Sequence, residues 1–505
     1  MSETAAPLEK DEISREIATA ARHSFVYGIG GVLVKGVGFL LLPLYTRYLS
    51  PQDYGVFEVL ELSISVLAMF LNMGITAALL RYYAGAPTPE EKGRIVGSVF
   101  QCTVAVSVIV MAGGSFGARK FTDLLLGSAV PASYLLLSLA GFVLAFISNV
   151  PYTTLRAREQ SGRMVTVDTL SSIAQFALGA ILLAAANLAV RGLLVAKLAV
   201  NVANIAVLVW WTRRELFGGM DWKLFKKMFA FGAPLVFSNL TMFTLNFSDR
   251  FFLQHFQSLE AVGIYAVGYK FGYLLNFLLL QPFNMMWQAR MYLVCKLPDY
   301  EAIYARVFVL YSTVLIVAAL GMSLIGPEVM RLAIDSRYSA GADVIGVVSL
   351  AYVLLGIGQY LELGMFLAGK TTWIGGVSVA AAAVNIGANY GLIGKFGMIG
   401  AAWATVLGFG AIAVGSYWCS QRAHPLALPV GRVSVALAIG MGVYMASRAF
   451  TPPTVGSTLA LKAALLIVCP VLLLLAKCLS SDDLATLRWL RVDAGRRLRP
   501  VWQRS

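Results

Sequence analysis

The chain has 505 residues, of which 58% are hydrophobic and only 13% charged, and its formal net charge is +14. A water-soluble protein carries about 25% charged residues, so this chain lacks the polar surface that a large soluble enzyme needs. Its mean hydropathy of +0.74 fits runs of about 20 apolar residues, the helix length that crosses roughly 30 Å of hydrocarbon.

Residues 1–24 form a mixed-charge tail (LEKDEISREIATAARH) without the charged-then-apolar order of a cleavable signal peptide. Apolar runs then predict spans near 25–46, 55–80, 95–117, 132–155, 165–187, 189–211, 228–249, 262–289, 304–326, 342–368, 372–391, 397–418, 430–450 and 457–477. This is an all-α integral membrane pattern of fourteen transmembrane helices. The short alternating segments of a transmembrane β-barrel are not seen. The connections are too short to hold a folded domain, so function is expected within the membrane. Spans 1–6 make an N-lobe (25–212), residues 213–227 a linker, spans 7–12 a C-lobe (228–418), spans 13 and 14 an appended pair (430–477), and 478–505 a basic tail. The tails and the even-numbered loops hold most of the 40 Lys and Arg, which places both termini in the cytoplasm. The tail after Lys477 opens with a Ser480/Asp483 capping pattern and interleaves Leu, Trp and Arg. It reads equally as a helix on the anionic inner leaflet or as a plain topology signal.

The stretch YLSPQDYGVFEVLE, between spans 1 and 2, reads as a helix start: Ser50 as N-cap, Pro51 at the first helical position, and Asp53 closing the cap. At an offset of 208 residues, SPQDYGVFEV from Ser50 matches SLEAVGIYAV from Ser258. Arg81 maps to within one residue of Arg290 at the same end of the corresponding span. A repeat of six spans enters from the same side each time. It predicts two six-helix lobes related by a pseudo-twofold axis along the membrane normal, with a substrate site between them.

Polar residues inside spans are costly and mark cavities or partner helices. At about 100° per residue, Glu58, Glu61, Ser65 and Asn72 share one face of span 2, and Lys270, Gln281, Asn284 and Gln288 one face of span 8. Asn239, Asn246 and Arg250, with Asp249 beside them, share a face of span 7, and Lys35 lies with Thr46 on span 1. These are equivalent spans of the two lobes, which points to a wet cavity. Lys35, Arg47, Arg81, Arg250, Lys270 and Arg290 are its candidate substrate-binding cations. Asn72, Asn239, Asn246, Gln281, Asn284 and Gln288 are its candidate polar lining. Glu58, Glu61 and Asp249 are candidates for gating or for coupling to H⁺ or Na⁺. Whether Glu58 and Glu61 pair with Lys35 or bind an ion stays open. Asp168 on span 5 and Lys197 on span 6 are expected to pair and glue neighbouring helices, whereas Lys462 near the end of span 14 is expected to reach for water. Glu362 with Gln359, and Asn385 with Asn389, stay open. Five cysteines without CxxC spacing and three scattered histidines make no metal cluster, and no cofactor or catalytic residue is expected. Nor is a nucleic acid expected, because the positive charge serves orientation.

Residues Leu41–Ala84 (LLPLYTRYLSPQDYGVFEVLELSISVLAMFLNMGITAALLRYYA), Asn246–Gly272 (NFSDRFFLQHFQSLEAVGIYAVGYKFG) and Leu367–Thr405 resemble signatures of the polysaccharide-transporter, or Wzx-like oligosaccharide flippase, family. That family belongs to the multidrug/oligosaccharidyl-lipid/polysaccharide exporter (MOP) superfamily. The resemblance implies a V-shaped, two-lobed, non-enzymatic exporter. It would flip a polyprenyl-pyrophosphate-linked oligosaccharide from the inner to the outer leaflet by alternating access, with polysaccharide polymerase or assembly proteins as partners. It also implies cationic roles for Arg47, Arg81, Arg250 and Lys270, and a site role for Asp249. Rival readings are a drug or peptidoglycan-precursor exporter of the same superfamily, and a membrane polymerase or glycosyltransferase. The last would need a sizeable extramembrane loop, which this sequence lacks.

Overall fold

The computed structural model describes Phe39 and residues 41–72, 74–232, 235–450 and 455–479. These are helical almost throughout and carry eleven helices long and apolar enough to cross a membrane. The chain is a multi-pass membrane protein. The three expected spans missing from the eleven have identifiable causes. Most of span 1, with Lys35, lies outside the described residues. Span 7 is covered by two helices, Trp222–Gly232 and Leu235–Phe256, with residues 233–234 between them outside the described ones. Spans 11 and 12 join in one long helix through Gly397, whose φ of 56° and ψ of −133° are non-helical; such a backbone favours glycine because no Cβ opposes it. The C-terminal tail helix expected after residue 479 also falls outside the described residues.

The chain divides into two compact units, Met1–Leu240 and Thr241–Ser505. The first contains α1 (Leu42–Tyr48), α2 (Pro51–Asn72), α3 (Ile75–Ala84), α4 (Pro89–Leu126), α5 (Ala132–Ala157), α6 (Ser161–Ala184), α7 (Ala189–Leu216) and α8 (Trp222–Gly232). The start of α2 forms as the sequence predicts. Ser50 Oγ accepts from Asp53 N–H at 3.1 Å, and Ser50 N–H donates to Asp53 Oδ2 at 3.3 Å. Replacing Ser50 by Ala is expected to cost about 1 kcal/mol, read as a lower thermal midpoint of the detergent-solubilised protein. α5 packs against α7 and α4, and α6 against α7. Phe142 and Phe146 of α5 meet Ile64 and Leu139 in one buried cluster. Lipid tails are as apolar as these side chains, so close van der Waals fit, rather than escape from water, holds the helices together.

Residues 222–232, part of which the sequence reading gave to span 7, form the separate helix α8. It packs on α3 and α4, and Met228 completes a cluster with Leu79, Tyr83, Val96 and Leu216. Asp221 ties it down: its N–H donates to Ser98 Oγ at 2.7 Å and its Oδ1 accepts from Leu224 N–H at 3.0 Å. Arg158, just beyond α5, is ion-paired to Glu215 of α7, which also accepts from Tyr83 Oη at 3.1 Å. Burial opposes the Arg158 charge, but the hydrogen bond and charge of Glu215 more than offset it and hold the guanidinium above the ordinary arginine pKa.

The helix α9 (Leu235–Phe256) begins at the end of the first unit and runs into the second. The second unit continues with α10 (Leu259–Leu275), a π-helical turn Asn276–Leu280, α11 (Gln281–Val294), α12 (Tyr300–Ala333), a 3₁₀ turn Ser336–Gly341, α13 (Ala342–Leu361), α14 (Leu363–Leu367), α15 (Thr371–Ala423), α16 (Val430–Ala449) and α17 (Val455–Leu475). Ser258 caps α10 by accepting from Ala261 N–H at 3.1 Å, the same corner device as Ser50. α13 is the hub, packed by α10, α12 and α15. Gly268 of α10 and Gly341 meet where the two segments cross backbone to backbone. Lys462 does not reach for water: its Nζ donates to Glu328 Oε1 at 2.7 Å, which joins α17 to α12. A partner inside the membrane is worth more to a buried ammonium than a long reach to the interface.

Candidate functional site

In the first unit, Lys197 of α7 donates to both carboxylate oxygens of Glu61 on α2, at 2.8 and 2.6 Å. The expected Asp168–Lys197 pair does not form. Ser171 Oγ donates to Asn204 Oδ1 at 2.5 Å, and that contact fixes the register of antiparallel α6 and α7. Lys197 therefore lies level with residue 178, about 15 Å along the axis from Asp168 at 1.5 Å per residue. Asp168 Oδ2 instead accepts from Tyr152 Oη at 2.6 Å.

Asp168 thereby faces a cleft of about 360 Å³ lined by Asn72, Asn149, Tyr152, Asp168, Asn201 and Asn204, with Phe142 and Phe146 among its apolar walls. Asn149 Nδ2 donates to Asn72 Oδ1 at 2.9 Å and to Thr76 Oγ1 at 3.3 Å. Asn201 Nδ2 donates to Gly141 O at 2.9 Å. Four helices thus supply amides, a phenol and one carboxylate around an aromatic-walled cleft, with no Lys or Arg in its lining. That donor and acceptor set suits hydroxyl groups of a sugar better than a phosphate.

In the second unit, Asp249 and Arg250 form a pair at 2.6 Å with side chains 2% and 1% exposed. Tyr265 Oη donates to Asp249 Oδ2 at 2.5 Å, and Arg250 Nη1 also donates to Asn246 O at 2.8 Å. The guanidinium carbon sits 3.9 Å from the Tyr269 ring centroid, a cation–π contact. Tyr352 Oη donates to Asn246 Oδ1 at 3.0 Å, so in its 2.8 Å contact with Tyr269 Oη it accepts. Asn385 and Asn389 make a second buried network with Ser248, at 3.1 and 3.2 Å.

The structure therefore brings together Asn72 with its cleft, Glu61 with Lys197, and Asp249, Arg250 and Asn246 with the tyrosines. Arg47, Arg81, Arg290 and Gln288 are exposed, Lys270, Gln281 and Asn284 are partly buried, and Glu58 is buried. Lys35 and the Asn239 side chain lie outside the described residues, so the Lys35 pairing with Glu58 or Glu61 is not described. The predicted common face of Lys270 with Gln281, Asn284 and Gln288 assumed an unbroken α-helix. The π turn at Asn276–Leu280 changes the rotation between them, because its wider winding advances each residue by less than 100°. Asn149, Tyr152, Tyr265, Tyr269 and Tyr352 were missed. Their signals were a polar pair beside Pro151 in an apolar run (SNVPY) and a tyrosine every four residues from Tyr265 to Tyr273.

Residues 20–287, just over half of the chain, match the family model described as polysaccharide biosynthesis protein. No curated protein matches the chain. Among solved structures, the lipid II flippase MurJ in an inward closed conformation is 13% identical, with 90% of this chain and 98% of that chain covered at a TM-score of 0.66. An inward-facing multidrug resistance MATE family transporter of the MOP superfamily is 16% identical, with 79% and 94% covered at 0.61. The Vibrio cholerae MATE transporter VcmN is 14% identical, with 81% and 98% covered at 0.55. These likenesses establish a shared fold.

Proposed function

The chain belongs to the polysaccharide biosynthesis protein family, and from that premise we propose that it is a flippase for a polyprenyl-pyrophosphate-linked oligosaccharide. It carries this lipid from the inner to the outer leaflet of the cytoplasmic membrane by alternating access, with both termini in the cytoplasm, for assembly of a cell-surface polysaccharide. The observation that carries the reading is the cleft of the first unit. Asn72, Asn149, Asp168, Asn201 and Asn204 line it within membrane-spanning helices. Polar side chains are kept at such depth when a polar cargo passes them. An uncharged sugar finds donors, acceptors and aromatic walls there. The pyrophosphate falls to cations outside this cleft, among which Arg47, Arg81, Lys270 and Arg290 are the candidates.

Proteoliposomes loaded with a fluorescent polyprenyl-pyrophosphate oligosaccharide test this, with flipping read by access of an added quencher. Asp168→Asn is expected to slow flipping about tenfold or more, since a hydrogen bond to a charged group is worth about 1.5 kcal/mol or more, and Asn149→Ala about fivefold, since a neutral one is worth about 1 kcal/mol. Unchanged rates in both variants would sink the cleft as the sugar path. The rival peptidoglycan-precursor reading is separated by a parallel arm with lipid II, which shares the polyprenyl pyrophosphate and differs in the sugar. Faster transport in that arm would reassign the substrate.

A further inference from the structure

The cleft of the first unit keeps one formal charge that no described cation balances. On the helices around it, Glu61 is paired with Lys197 and Glu215 with Arg158. Arg163 lies over the Trp211 ring, its guanidinium carbon 5.2 Å from the centroid, and donates to Gln160 Oε1 at 3.0 Å. Arg156, at the end of α5, is exposed and outside the lining. Asp168 differs from the other carboxylates. Among the described residues its side chain meets the Tyr152 hydroxyl, which donates to Oδ2 at 2.6 Å. That leaves Oδ1 as an acceptor in a cleft of about 360 Å³ whose described lining holds no Lys or Arg.

A phenol spreads a negative charge but does not cancel it. Between spanning helices the effective dielectric is far below that of water, so a second negative charge a few ångströms away is repelled by much more than thermal energy. The neighbouring amides do not change that sign. Asn72 Oδ1 accepts from Asn149, and Asn204 Oδ1 from Ser171, so among the described residues their N–H groups stay available to a ligand. These neutral donors suit hydroxyl oxygens and bring no charge to balance a carboxylate. Ser171 is three residues from Asp168, about 4.5 Å along α6. The Asn204 donor therefore stands about one turn from the Asp168 acceptor, close enough for one sugar ring to engage both. The stacked rings of Phe142 and Phe146, 5.8 Å apart, offer an apolar wall to the C–H face of such a ring.

We propose that Asp168 makes this cleft a charge filter, which admits neutral or amino sugars and rejects sugars that carry a carboxylate, such as hexuronic acids. A sugar hydroxyl donates to Asp168 Oδ1. A sugar ammonium donates there too and balances the charge, which makes the stronger bond. A sugar carboxylate sets like charge against like, with no described cation in the lining to relieve it. The cargo whose sugars pass this cleft is then a non-acidic oligosaccharide. That the sugar belongs to a lipid-linked cargo rests on the flippase reading; the charge preference itself does not.

The test uses soluble sugars, so its failure and that of the flippase reading are distinguishable. Purified full-length protein in phosphatidylcholine nanodiscs is presented with methyl glycosides that differ only at C6: the hexose, its 6-carboxylate and its 6-amino-6-deoxy derivative, in the gluco and galacto series. Binding is read by saturation-transfer NMR. The amine is expected to bind most tightly and the carboxylate at least about tenfold more weakly than the hexose. Asp168→Asn is expected to bring the three within about threefold of one another. Asn149→Ala removes a neutral contact and is expected to weaken all three alike, with their order kept. Where Asp168→Asn does not fold, Asp168→Ser replaces it, and the wild-type order is decisive by itself. A wild type that binds the carboxylate as tightly as the hexose, a wild type that binds none of the three, or an order that survives loss of the Asp168 charge overturns the proposal. Charge-ordered binding in a protein that flips no lipid-linked sugar would sink the flippase reading alone. Flipping with equal affinities for the three sugars would sink the filter alone.

Discussion

Arg250→Ala is expected to destabilise the protein by about 3–5 kcal/mol, the usual cost of stripping one partner from a buried ion pair. Asp249 would be left 2% exposed with Tyr265 as its remaining hydrogen-bond donor among those described. The tyrosine faces that hold the guanidinium would lose their cation as well. The double variant Asp249→Asn/Arg250→Met removes both charges and should recover most of the loss, because the cost of burying an unpaired charge is gone and the amide carbonyl at position 249 can still accept from Tyr265. Arg250→Lys should fall between, since an ammonium keeps the charge but not the planar stack on Tyr269. Thermal unfolding of the three variants in one detergent decides it. An Arg250→Ala midpoint equal to wild type would mean that the pair contributes nothing.

Gly268→Ala is expected to cost about 1–3 kcal/mol, the range for forcing extra atoms into a packed site. A Cβ there would lie 2.7 Å from the Gly341 carbonyl carbon and 2.8 Å from Val344 Cγ2. The carbonyl is backbone and cannot rotate away, so α10 would have to part from the start of α13. Gly376→Ala in α15 is the control. Nothing lies within 4 Å of the added carbon, and alanine is the better helix former by about 1 kcal/mol. Opposite signs for the two alanines are the expected result, and equal effects would show that the crossing has room for a methyl group.

Much of the fold was legible because its signals are local. Apolar runs of span length and the Ser50 and Ser258 caps each depend on residues a few positions apart. A six-span repeat could be glimpsed for the same reason, through matching corners. The candidate site was legible only by residue type. Glu61 reads in the sequence as pairing with Lys35 or binding an ion, whereas in the structure it meets Lys197, which lies 136 residues away and which the sequence reading assigns to Asp168.

The sequence by itself determined an all-helical membrane protein of the polysaccharide biosynthesis class, together with the identity of its costly intramembrane polar residues. Tertiary structure alone decided which of those residues meet. Partnership between helices depends on the rotation and axial register of each, and a single contact such as Ser171 with Asn204 moves a lysine about 15 Å from its expected carboxylate. A π turn of five residues rotates every side chain beyond it away from the face an unbroken α-helix would give. For that reason the sequence marks Glu58, Glu61 and Asp249 as gating or coupling candidates and leaves Glu362 open, whereas the packing engages the first three and leaves Glu362 facing a polar cavity.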